Sequence, residues 1–112
     1  MDTTTRDDLR VALRFIRDGG RTVRDSGWAS APLLQDAVNA ASPILTRPYE
    51  LPGEVDWLRA QLVVDCGAWL ELCISIRGAP TNSNLKEAGR ALAGHMVDRA
   101  DALLAWLQAP KS

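Results

Sequence analysis

The chain is short of the residues that usually carry chemistry. It has one histidine, one phenylalanine and one tyrosine, and 13 Lys and Arg against 14 Asp and Glu leave a formal net charge of -1. Each scarcity excludes something. With His95 as the lone imidazole, no histidine cluster exists to hold a metal, and the two cysteines, Cys66 and Cys73, have no CxxC or Cys/His spacing of the zinc type. A balanced charge predicts no general affinity for nucleic acid or an anionic membrane. No apolar run approaches the ~20 residues that span a bilayer. The opening MDTTTRDDLR is polar and acidic, so it reads as neither a signal nor a transit peptide, and the expected address is the cytoplasm. There is no GxGxxG, Walker loop, HExxH or GxSxG. No cofactor and no metal is expected.

What is present is helix. A length of 112 residues sets one domain over 1–112, large enough for a single modest core. The organising stretch runs from Pro52 to Arg77. Val55, Leu58, Leu62, Cys66, Trp69, Cys73 and Ile76 recur there in steps of three and four, the seam of a packed helix, with Val63, Leu70 and Ile74 widening it. The opposite side carries Trp57, Ala60, Val64, Gly67, Ala68 and Ser75 where a surface helix would carry charge. A helix apolar on both sides is expected to be enclosed, either centrally in its own bundle or by another chain. Gly78 is the expected C-terminal cap.

The remaining elements follow from start and stop signals. A Thr cap at Thr4-Thr5 with Asp7 and Asp8 in the first turn opens a helix on Leu9, Ala12, Leu13 and Ile16, edged by Val11 and Phe15. Gly19-Gly20 is read as its end. Trp28 anchors the following connection over the bundle end. Ser30-Ala31-Pro32 opens a second helix on Leu33, Leu34, Ala37, Val38 and Ala41, which Pro43 should stop or kink at Ser42. Ile44 and Leu45 then form a short turn, and Tyr49 seals the loop before Pro52 or lines a pocket there. Asn84 with Glu87 has capping-box spacing for a last helix on Leu85, Leu92, Met96, Ala100, Leu103 and Leu107, reaching Gln108 before Pro110. The expected fold is all-α: a small antiparallel up-and-down four-helix bundle with long third and fourth helices.

Three groups of residues are candidates for function. Trp is enriched at interface hot spots, so Trp57 and Trp106, with Ala60, Val64, Gly67 and Ala68, form the expected partner surface. Arg6, Arg10, Arg14 and Arg17, continued by Arg21 and Arg24 if the helix passes the glycines, are candidates for an anion or acidic partner, tempered by Asp7, Asp8, Asp18 and Asp25. Trp69, His95, Met96 and Arg99 are the candidate lining of a core pocket. Cys66 and Cys73 stand roughly 10 Å apart along one helix, too far for a disulfide, and read as buried thiols. Asp65 and Glu71 face different sides and make no acid/base pair. Arg far outnumbers Lys, a bias common in GC-rich bacterial genomes and their phages.

The expected function is therefore a non-enzymatic interaction protein. It would pair with itself as a homodimer or dock onto another macromolecule, in an inhibitor, immunity-type or assembly-factor role. The alternative is a small-molecule-binding protein or minor enzyme with a pocket near Trp69, Met96 and His95. Nucleic-acid and membrane partners are not expected.

Overall fold

Four helices and one short turn make up the computed structural model, which describes residues 2–108. They are α1 (Thr3–Ser26), a 3-10 turn at Trp28–Ser30, α2 (Ala31–Leu45), α3 (Gly53–Gly78) and α4 (Ser83–Gln108). The long helices have 24 to 26 residues, or about 36–39 Å at 1.5 Å per residue. In a body of 51 × 23 × 22 Å they must lie along the long axis. Short connections then make successive helices antiparallel. The fold is an all-α four-helix bundle. α1 packs against α2 and α4, while α3 packs against α4 and more sparingly α2; α1 and α3 are diagonal, and their backbones do not come close. The accessible surface of 6224 Å² is close to the about 6.1 × 10³ Å² of a compact monomer this size. One chain completes the core.

α1 differs from the sequence expectation at both ends. Asp2 caps it, its carboxylate accepting the Thr5 N–H at 2.7 Å, which also holds the Asp2 carboxyl below its ordinary pKa. Gly19 and Gly20 do not end the helix; it runs on to Ser26 and stops at Gly27, whose φ of 87° suits glycine. The reason is packing. A Cβ on Gly19 would lie 3.1 Å from the Leu34 Cα, and one on Gly20 would lie 2.8 Å from Val97 Cγ2. The two glycines are where α2 and α4 press against α1. Closing those contacts offsets the about 1 kcal/mol that each glycine costs a helix.

Pro43 does not stop α2 either, which continues to Leu45. Ser42 Oγ donates to the Val38 carbonyl at 2.7 Å. Leu45 is fully buried, and the last carbonyls find side-chain donors: the Tyr49 hydroxyl bonds Ile44 at 2.6 Å and the Arg59 guanidinium bonds Leu45 at 2.8 Å. Tyr49 thus seals the loop, and burial raises its phenol pKa. Leu33, expected inside, is 58% exposed. Gly78 is the last helical residue of α3 without a left-handed φ, and Ala79 follows as the cap. At the start of α4 the cap is Asn82, not Asn84: its side chain accepts the Leu85 N–H at 3.1 Å, and Glu87 pairs instead with Arg90 at 3.6 Å. Pro110 lies outside the described residues.

Candidate functional site

The inward face of α3 follows its predicted seam. Val55, Leu62, Cys66, Trp69, Cys73 and Ile76 are buried, with Leu58, Val63 and Leu70 half-buried beside them. Trp28 reaches back to stack on Trp69 at 5.0 Å and 44°. Gly89 makes room for it, since a Cβ there would run into the Trp28 ring. One polar residue joins this seam. Asp65 is 8% exposed and is held by the Arg99 guanidinium of α4. The sequence reading missed this pair, although its signal was present. Asp65 falls between Leu62 and Trp69 on the seam, and Arg99 between Met96 and Leu103, so opposite charges interrupt two apolar stripes on consecutive helices.

This face offers packing rather than reactivity. Burial pushes the Cys66 thiol up to about 12, with the neighbouring Asp65 carboxylate adding to the rise. Burial also raises Cys73, against the pull of Arg77. Neither supplies a thiolate near neutral pH. Trp69 and Met96 are fully buried, Arg99 is tied to Asp65 and His95 is exposed. None of these four lines a described groove. Among the described residues no three His, Cys, Asp or Glu come together to hold a metal ion, and no helix is long and apolar enough to cross a membrane.

Because α1 is continuous, its arginines do form one stripe, but carboxylates already answer most of it. Arg10 pairs with Asp7 at 3.0 Å, Arg17 with Asp18 at 3.0 Å, and Arg24 with Asp25 at 3.0 Å; Arg21 reaches Asp101 of α4 at 3.4 Å. Arg6 and Arg10 also bury their Nε atoms without a hydrogen-bond partner. Arg14 is exposed.

Of the two expectations for α3, enclosure within its own bundle is the one that the structure does not show. α3 is not an enclosed central helix. It occupies a corner, and among the described residues no other helix covers its outer side. Trp57, Val64 and Ile74 are 57%, 62% and 65% exposed, so Ile74 belongs to this face rather than to the seam. Ala60, Gly67, Ala68 and Ser75 are exposed among them; Glu71 lies within this face, and Asp56, its side chain 46% exposed and paired with Arg59, lies at its edge beside the line of Ile74. A Cβ built on Gly67 meets nothing within 4 Å. Trp106 does not share this surface; it is half-buried on α4 and packs against the core. The five α3 candidates therefore form one stripe, and the sixth stands apart. Compared with protein-family models, curated proteins and solved structures, the chain matches none.

Proposed function

We propose that this is a non-enzymatic interaction protein that pairs with a second copy of itself through the outer face of α3. The observation that carries the reading is the exposed stripe of Trp57, Val64 and Ile74 interleaved with Ala60, Gly67 and Ala68. Water gains nothing from such a face, whereas covering it removes apolar area at about 25 cal/mol per Å². Small residues let a second helix backbone approach closely. The order of the residues favours self-pairing. Trp57 and Ser75 stand equally far on either side of Cys66, and so do Val64 and Ala68. In an antiparallel pair about a two-fold axis level with Cys66, Trp57 and Val64 each meet the level of a small residue, Ser75 and Ala68, on the other copy, the self-complementarity that an isologous interface needs, while Ile74 meets the level of Leu58. A net charge of -1 sets up little repulsion between copies. An inhibitor, immunity-type or assembly-factor role fits a protein acting by such contact rather than by catalysis.

Sedimentation equilibrium tests the pairing. The expected result is a dimer at micromolar concentration, converted to monomer by Val64→Glu with the helical signal intact. A monomer at high micromolar concentration overturns it. Trp57→Ala should weaken association while the monomer keeps its denaturation midpoint; a large loss of monomer stability would return Trp57 to the core.

A further inference from the structure

A groove of about 380 Å³ runs between α1 and α2, away from every residue of the proposed pairing stripe. α1 contributes Phe15, Asp18, Gly19 and Thr22. α2 contributes Leu33, Asp36, Ala37 and Ala40. The two sets share one spacing: a large apolar residue, a carboxylate one turn on, then small residues at the fourth and seventh positions. Each helix thus turns a single stripe towards the groove.

The approach of Gly19 to Leu34, 3.1 Å from its Cβ position, sets the register of the two helices. Since they are antiparallel, Asp18 and Asp36 fall at about the same level across the middle, and Phe15 and Leu33 stand on opposite sides of them, with Ala40 and Thr22 beyond. Phe15 and Leu33 are 53% and 58% exposed, so the core does not account for them. No Lys, Arg or His lines the groove. The Asp36 carboxylate makes no hydrogen bond or ion pair among the described residues, and the Asp18 carboxylate is ion-paired with Arg17, accepting from its Nε at 3.0 Å on Oδ1. The groove therefore has apolar side chains on either side of a centre that holds one unpaired carboxylate, Asp36, and one already paired with Arg17, Asp18.

We propose that this groove binds a lipophilic organic cation, its ammonium or guanidinium between Asp18 and Asp36 and its apolar groups along Phe15 and Leu33. Its volume lies within the range of small-ligand sites. The carboxylates supply charge-assisted hydrogen bonds, roughly twice as strong as neutral ones, and the exposed Phe15 face can add a cation–π contact. An anion of the same shape meets repulsion, and a neutral alcohol meets only the apolar walls.

The test is a titration of the ¹⁵N-labelled full chain with octylammonium, beside octanol and octanoate. Octylammonium should shift the amides of Gly19, Thr22, Leu33 and Ala37 and bind about tenfold tighter than octanol, while octanoate leaves them unmoved. Asp36→Asn, at an exposed position, should weaken octylammonium severalfold with unchanged circular dichroism, and Ala37→Trp should fill the groove and abolish binding. Equal affinity for octanol, shifts confined to other residues, or an Asp36→Asn variant that binds as before would each overturn the proposal. Val64→Glu should leave octylammonium binding unchanged, and Asp36→Asn should leave the sedimentation result unchanged, so this site and the α3 pairing fail independently.

Discussion

Gly20 in α1 and Gly67 in α3 are the same residue in the interior of long helices, and the fold treats them in opposite ways. At Gly20 a single added carbon would strike Val97 and come within 3.2 Å of the Ala93 carbonyl. At Gly67 it would find open space. In α1 the absent side chain is filled by a neighbouring helix of the same chain; in α3 it is left unfilled, between Val64 and Ala68 on an exposed face. Both glycines weaken their helix by about 1 kcal/mol relative to alanine, but only Gly20 receives packing in return within the monomer. A small residue therefore gives close approach only if something approaches. That contrast motivates self-pairing through α3.

The largest effect expected concerns how α3 is held to α4. Arg99→Ala should cost about 3 kcal/mol in urea denaturation, because it strands the buried Asp65 carboxylate. Replacing both residues with apolar side chains should recover most of the loss. A cost below about 1 kcal/mol, the level of an exposed ion pair, would mean that the inner face of α3 is as loosely held as its outer face is bare. Next comes the glycine contrast itself. Gly20→Ala should destabilise by about 1–3 kcal/mol through overpacking against Val97, whereas Gly67→Ala in the Val64→Glu background should stabilise the monomer by about 0.5–1 kcal/mol. Changes of the same sign at both positions would erase the distinction.

A pH scan separates the faces in another way. Cys66 sits on the inner face with a thiol raised from about 9 to about 12, so the fold accepts only its neutral form. Above pH 9 the unfolded chain releases that proton while the folded chain retains it. Stability is therefore fully present below pH 9 and declines above it, by roughly 1 kcal/mol at pH 10. Cys66→Ala should show a shallower decline than the parent. Matching slopes would place the thiol in contact with water.

Much of the fold was legible because periodicity is local. The seam of α3 and the apolar stripes of α1 and α4 could be read residue by residue, as could Tyr49 as a loop seal and Trp28 as an anchor. The errors share one cause. Gly19-Gly20 and Pro43 are breakers by intrinsic preference, and α1 and α2 continue through them because Leu34, Val97 and the carbonyl partners of Ile44 and Leu45 sit where they do. Asn84 and Thr4-Thr5 were plausible caps displaced by Asn82 and Asp2, a matter of two or three residues. Of the candidate site, the α3 stripe was readable as a face. Trp106 shows the limit of that reading, since a tryptophan at the edge of an apolar stripe becomes core or surface only when its neighbours are known.

Residue order alone determined four helical segments, a near-zero net charge and an α3 whose back is mostly apolar or small, since these depend on composition and on side chains a turn or so apart. Only the tertiary structure decided that α3 stands at a corner, that Asp65 meets Arg99, and that Asp18 and Asp36 face one groove. Those outcomes depend on which helices lie side by side and at what height, and helical periodicity carries information about neither.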